Sequence, residues 1–161
     1  MPAHPIARRL APAQVLVGAM ALAACQATTD PARVTAPPQT DGPGFRAMLD
    51  HERGARGLTR LEPDPALTRA ARAHALDMVQ NNYFSHTGQD GSRLMDRALA
   101  AGYCRTGMAE NIARGQSSEA EVFAGWFASP GHRRNLLRDG AEDYGLARVA
   151  DVWVMMVGDG C

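Results

Sequence analysis

The chain has 161 residues, and 17 basic side chains, all of them arginine, balance 17 acidic ones. This length suits one folded domain and is too short for two of ordinary size. The balanced charge and the scattered arginines provide no basic surface for nucleic acid, so we predict no nucleic-acid partner.

The first 24 residues are typical of a secretory signal. Arg8 and Arg9 precede an apolar stretch over 10–24, which is too short and wrongly flanked for a membrane span. The ending Leu-Ala-Ala-Cys at 22–25 is similar to a bacterial lipobox. We therefore predict that 1–24 is a lipoprotein signal peptide and that a lipid on Cys25 holds the protein on a membrane. The alternative is ordinary cleavage one residue earlier, with Cys25 left as a spare thiol in a secreted protein.

A tether is predicted over residues 25–44, which are rich in Pro, Thr, Ala and Gly and show no apolar periodicity. Fully extended, this segment would span roughly 60 Å. The folded domain is predicted over 45–161.

Two helices are predicted in the first part of this domain. A short one begins at Phe45. The second has Asp64 as N-cap and Pro65 at its first position. Apolar residues then recur at helical spacing along a stripe that includes His74. A histidine on an apolar face is better interpreted as a core residue with a satisfied hydrogen bond than as a ligand.

Further helices are predicted from turn and cap residues. Asp90-Gly91-Ser92 forms a turn with Ser92 as N-cap, and the third helix runs to about Ala101. Ser118 and Glu121 have the spacing of a capping box at the start of a fourth helix. Residues 132–137 add one short helical turn.

The end of the chain is predicted to be β-structure. Residues 144–150 and 152–157 are rich in aromatic and β-branched side chains, with Asp151 at the turn. The second run is almost continuously apolar, as expected for a strand covered on both faces. Residues 108–113 form a strand or an extended loop. Helices followed by antiparallel strands predict an α+β domain, with the sheet between helical layers.

The chain contains three cysteines: Cys25, Cys104 and Cys161. If Cys25 carries a lipid, an even pair remains in an oxidising compartment, and we predict a disulfide between Cys104 and Cys161. This bond would hold the C-terminal strand to the body of the domain. Two buried free thiols are the alternative.

Three phrases carry chemistry: NYFSHTGQDG at 82–91, MAENIARG at 108–115 and WFASPGHRRNLL at 126–137. Each places one reactive side chain, His86, Glu110 or His132, beside turn residues, and loops held in this way often carry function. If the fold brings the three together, two imidazoles and a carboxylate would suit a divalent ion such as zinc, with a position open for water or ligand.

Taken in order, these phrases resemble the bacterial branch of the CAP superfamily, which includes cysteine-rich secretory proteins, antigen 5 and pathogenesis-related 1 proteins. The resemblance runs from about Phe45 to the end of the chain. It implies an α-β-α sandwich with a central antiparallel sheet and a cleft lined by His86, Glu110 and His132. The eukaryotic pattern has a second glutamate where this chain has Ser129, and Glu121 is explained by its capping role. Half of the carboxylate pair for acid–base chemistry is therefore missing.

We therefore expect a monomeric, non-catalytic binding module of the cell envelope that takes up a divalent ion, a small ligand or an envelope component. One alternative is a metal-assisted hydrolase of peptide or envelope material, with Glu110 as base or ligand. Lipid or sterol uptake is a weaker alternative, by analogy only. No catalytic residue is assigned. Asn111 and Asn135 either anchor loops around the cleft through side-chain to backbone bonds or are simply solvated.

Overall fold

The computed structural model describes residues 44–104 and 107–161. The predicted signal peptide, the lipidation of Cys25 and nearly all of the tether lie outside these ranges. In chain order the elements are α1 Phe45–Gly54, β1 Glu62–Pro63, α2 Pro65–Gln80, α3 Leu94–Ala100, β2 Met108–Arg114, α4 Glu119–Ala128, α5 Pro130–Leu136, β3 Asp143–Val149 and β4 Val152–Gly158. None of the helices in the described ranges is long and apolar enough to cross a bilayer.

The described strands form one sheet in the order β1-β3-β4-β2. The pairs β3–β4 and β2–β4 are antiparallel, as predicted. The two-residue β1 pairs parallel to β3 and was not predicted, because two residues are too few to show a strand pattern. The hairpin turn consists of both Ala150 and Asp151, since Val149 pairs with Val152.

Strand β4 lies inside the sheet, and all seven of its residues are buried. Its side chains alternate between two hydrophobic clusters, as the pleat of a strand requires. Val152, Val154 and Met156 pack with residues of α2 and α3. Trp153, Met155 and Val157 pack with residues of α1, α4 and α5. This arrangement confirms the prediction of a strand covered on both faces and of a sheet between two helical layers.

Helix α2 begins as predicted, because the Asp64 side chain accepts a hydrogen bond from the Leu67 N–H at 2.7 Å. The helix packs directly on strand β3 at Gly145. A Cβ atom added to Gly145 would collide with the backbone of Leu67 and Thr68. The absence of a side chain at Gly145 therefore sets how closely α2 approaches the sheet.

Two cap predictions need correction. Helix α3 begins at Leu94, not after Ser92, because the Arg93 N–H is capped by the Asp96 carboxylate at 2.9 Å. Ser118 caps α4 as predicted and accepts from the Glu121 N–H at 3.2 Å. The Glu121 carboxylate, however, accepts hydrogen bonds from the N–H and the hydroxyl of Ser117, both at 2.8 Å. A capping box would instead have this carboxylate accept from the N–H of the N-cap residue, Ser118.

A disulfide joins Cys104 to Cys161 and confirms the predicted pair. It links the segment after α3 to the end of the chain. The alternative of two free thiols is therefore wrong.

Candidate functional site

The candidate site is built on β2, the strand at one edge of the sheet. Successive residues of a strand face opposite sides. Ile112 packs in the cluster that contains α2 and α3, whereas Ala113 packs against the opposite cluster. Glu110 therefore faces the α2 side and Asn111 the α5 side. The phrase MAENIARG supplies both sides of the site because it forms a strand.

Glu110 is buried, and its carboxylate contacts the side chains of His86 and Arg97. Its side chain is only 3% exposed. The Oε1 atom lies 2.7 Å from Nδ1 of His86, and Oε2 accepts a hydrogen bond from Nη2 of Arg97 at 2.8 Å. Both carboxylate oxygens are therefore engaged.

The contact with Glu110 sets the chemistry of the His86 ring. The Glu110 carboxylate accepts a hydrogen bond from Nδ1–H, which leaves Nε2 as the ring atom with a free lone pair. The His86 side chain is 58% exposed, so this nitrogen is available to a ligand from solvent.

Arg97, on α3, was not recognised from the sequence as a site residue. Besides Glu110, it binds two carbonyls of the loop before α3, Ser92 O at 2.8 Å and His86 O at 3.1 Å. Its side chain is 9% exposed. It therefore holds the loop and neutralises the buried carboxylate at the same time. No sequence signal marks it, because a single arginine on a short helix has no spacing relation to strand β2.

His74 is the core histidine that was predicted. It is buried, and its Nε2 donates to the Ser85 carbonyl at 3.0 Å, which fixes the segment that leads into His86. Burial, and then the neighbouring charge of Arg97, lowers the pKa of His74, so the ring is neutral at pH 7.

His132 lies on α5, and two asparagines tie that helix to β2. Asn111 donates from Nδ2 to the His132 carbonyl at 3.0 Å. Asn135 donates from Nδ2 to the Glu110 carbonyl at 3.1 Å and also contacts Asn111 Oδ1 at 2.8 Å. These bonds confirm that Asn111 and Asn135 anchor the loops around the site. Burial, followed by the nearby His86, lowers the pKa of His132 and keeps it neutral.

The outer edge of β2 is closed to further strands at two carbonyls. The Asn135 side chain donates a hydrogen bond to the Glu110 carbonyl, and the indole N–H of Trp126 donates to the Ile112 carbonyl at 3.2 Å. Side-chain donors that take up edge carbonyls prevent pairing with another strand. At these two carbonyls the edge of β2 is therefore not a template for adding a peptide strand.

His86 contacts Glu110, and His132 lies near enough to His86 to feel its charge, but the three do not form a ligand group of three. Within residues 44–104 and 107–161, no three His, Cys, Asp or Glu side chains are placed to hold one metal ion. Both carboxylate oxygens of Glu110 are hydrogen-bonded, one to His86 and the other to Arg97. The His86 imidazole, 58% exposed, is open to a ligand, and the His132 imidazole lies near it.

Comparisons with known proteins agree with this architecture. The sequence model of the cysteine-rich secretory protein family matches residues 46–152. The uncharacterized protein YkwD of Bacillus subtilis is 35% identical over 108 residues, which are 66% of this chain and 42% of the relative. The uncharacterized membrane protein YlbC of the same organism is 40% identical over 82 residues, 50% of this chain and 23% of the relative. The matches thus cover less than half the length of these relatives.

Solved structures show the same fold. An extracellular protein with an SCP domain from Bacillus anthracis is 28% identical, with a TM-score of 0.68 over 71% of this chain and 38% of that chain. An outer surface protein from Borrelia burgdorferi is 23% identical, with a TM-score of 0.67 over 73% of this chain and 90% of that chain. The second likeness concerns the fold alone.

Proposed function

Because the chain belongs to the cysteine-rich secretory protein family, we propose that it is a non-catalytic binding module outside the cytoplasm. Its cleft binds a divalent cation such as zinc through His86 and His132. A small ligand or envelope component then binds the cation at the coordination positions that the two histidines leave open. We propose that the domain works as a monomer.

The engagement of Glu110 carries this proposal. A general base needs a carboxylate that can reach the proton it removes. Both oxygens of Glu110 are bonded, one to His86 and one to Arg97, and the side chain is 3% exposed. A carboxylate that bonds the inner nitrogen of a metal-binding histidine orients the ring and raises its basicity. We therefore assign Glu110 an orienting role and leave the metal to the two imidazoles.

Two protein ligands make a weak, exchangeable site. Structural zinc sites have four protein ligands and catalytic ones usually three. The burial of His132 and its proximity to His86 lower the pKa of His132, so this ring can donate a lone pair at pH 7. Weak binding with several open positions suits capture of a ligand through the ion.

Calorimetric titration of the full chain with zinc tests the metal site. We expect a saturable heat for the wild type and for His51→Ala, which removes an exposed histidine on α1. The double variant His86→Ala, His132→Ala should give only the heat of dilution. Equal heats for the double variant and the wild type would refute the metal site. Glu110→Gln should weaken zinc binding by about tenfold or more, since it perturbs the orienting bond to His86.

The hydrolase alternative makes a different prediction. If Glu110 were a catalytic base, peptide or peptidoglycan fragments would be cleaved by the zinc-loaded wild type and not by Glu110→Gln. We expect no cleavage by either protein. Turnover that depends on Glu110 would replace the binding-module proposal with a hydrolase.

An extracytoplasmic location is supported by the disulfide, which is typical of oxidising compartments, and by the description of the Bacillus anthracis protein. We further propose that a lipid on Cys25 anchors the chain to a membrane. Labelling with radioactive palmitate in a bacterial host should mark the wild type and Cys104→Ser and leave Cys25→Ser unmarked. Label that persists in Cys25→Ser would rule out the anchor.

A further inference from the structure

A pocket of about 270 Å³, separate from the candidate site, lies between α2, the turn before α3, and α3 itself. It is lined by His74, Asp77, Gln89, Asp90 and Arg97, among others. His86 and His132 are not among its lining residues. We propose that this pocket binds a neutral, hydroxyl-bearing ligand about the size of one sugar ring.

Two buried atoms of the lining residues have no hydrogen-bond partner: Nδ1 of His74 and Nε of Arg97. The His74 Nε2 donates to the Ser85 carbonyl, so Nδ1 of the neutral ring is an acceptor. Arginine nitrogens only donate. One unsatisfied acceptor and one unsatisfied donor thus belong to side chains of the same pocket. A hydroxyl group suits either atom, because it can donate to Nδ1 or accept from Nε–H.

The charges around the pocket favour a neutral ligand. Asp77 and Asp90 would repel an anion, and the Arg97 guanidinium would repel a metal ion. No group of three His, Cys, Asp or Glu side chains that could hold a metal ion occurs here or elsewhere in the described ranges. Carboxylates, a side-chain amide and a guanidinium together provide the acceptors and donors that several hydroxyls on one ring require.

The rim of the pocket is already held in place without a ligand. The Asp77 carboxylate accepts from the Tyr83 hydroxyl and, at 3.3 Å, from the Gln89 N–H. Asp90 accepts from the Ser92 N–H at 2.8 Å. A rim that is ordered beforehand loses little conformational freedom on binding.

The size of the pocket limits what can enter. Its volume of about 270 Å³ is below the roughly 300–1,000 Å³ of pockets that enclose drug-sized ligands. A single ring fits this space, and any longer glycan would extend into solvent.

Titration of the full chain with glucose and with N-acetylglucosamine, followed by NMR, tests the proposal. We expect saturable shifts at the amides of Gln89, Asp90 and Ser92, and a change at Nδ1 of His74 as it gains a donor. Asp90→Ala should weaken binding by about tenfold or more, because a hydrogen bond to a charged group is lost. Asp139→Ala is the matched control: Asp139 is also exposed and caps a backbone N–H, that of Gly140, outside the pocket.

Several results would overturn the proposal. One is the absence of saturable shifts with either sugar. Another is a crystal structure grown with sugar in which a single water bridges His74 Nδ1 and Arg97 Nε and no sugar is bound. Stronger effects of acetate or methylammonium on the same amides would refute a neutral ligand. His51→Ala, whose imidazole lies on α1 and lines neither site, should bind sugar as the wild type does. Sugar binding is measured by NMR and zinc binding by calorimetry, so each site can be disproved without the other.

Discussion

Nδ1 of His86 and Oε1 of Glu110 lie 2.7 Å apart, and this contact determines the role of both residues. It directs the free lone pair of His86 to Nε2, on the exposed ring. Arg97 holds the other carboxylate oxygen at 2.8 Å. The sequence phrases suggested that Glu110 is a ligand equal to the two histidines. The geometry instead supports a carboxylate that orients one histidine and is neutralised by an arginine.

Glu110→Gln should destabilise the fold strongly. The change removes the negative charge opposite Arg97, whose side chain is 9% exposed, and leaves a buried cation without its partner. Breaking a buried pair in this way costs about 3 kcal/mol of unfolding free energy. Urea denaturation measures the loss.

The control for this prediction is Glu62→Gln. Glu62 pairs with Arg46 at 2.9 Å, but the Glu62 side chain is 65% exposed. A surface pair of this kind contributes about 0.5 kcal/mol or less. If both variants lose equally little stability, the Glu110–Arg97 pair is not the buried interaction described above.

Acid should destabilise the protein through His74, which is buried, and His132, which is half-buried. Burial and Arg97 lower the pKa of His74, and burial and His86 lower that of His132, both from 6.5. The unfolded chain therefore binds more protons below pH 6.5 than the folded chain does. The stability that the two neutral histidines contribute is fully present above pH 6.5, and it is lost as the pH falls toward their pKa values in the folded protein.

The test of this pH dependence compares the wild type with His74→Gln. Urea midpoints at about pH 7.5 and about pH 5.5 should differ less for the variant, because one proton-linked group has been removed. A variant whose stability falls with acid as steeply as that of the wild type would contradict the assignment of His74.

Removing the disulfide should cost about 4 kcal/mol, given the 57-residue separation of its cysteines. Cys161→Ser, measured by urea denaturation, should show this loss. The double variant Cys104→Ser, Cys161→Ser should be as stable as Cys161→Ser, and its stability should not change when reducing agent is added. A wild type whose stability is unchanged by reduction would show that the bond contributes nothing.

Gly145→Ala should be destabilising by about 3 kcal/mol, because the new Cβ overpacks the contact with the backbone of α2, which cannot rotate away. Gly125→Ala on α4 offers the opposite case. Nothing lies within 4 Å of a Cβ at Gly125, so alanine should stabilise this helix by up to about 1 kcal/mol. Thermal denaturation should therefore shift in opposite directions for the two variants, and a shift in the same direction would contradict the packing of α2 on β3.

The amino-acid sequence alone determined the features that depend on neighbouring residues or on repeating patterns. The Asp64 cap of α2 is a local bond over three residues, and the unbroken apolar run of β4 predicted a strand covered on both faces. The disulfide followed from counting cysteines. The three phrases indicated the family and named the side chains of the candidate site.

The tertiary structure decided what those residues do. Arg97 meets Glu110 across 13 positions of sequence, and Asn135 meets the Glu110 carbonyl across 25. No spacing rule connects a helix residue to a strand residue at such separations, because the contact exists only after both elements have packed on the same sheet. The parallel pairing of β1 and the pocket beside His74 arise in the same way. The sequence therefore named the side chains of the candidate site, and packing determined which of them contact one another.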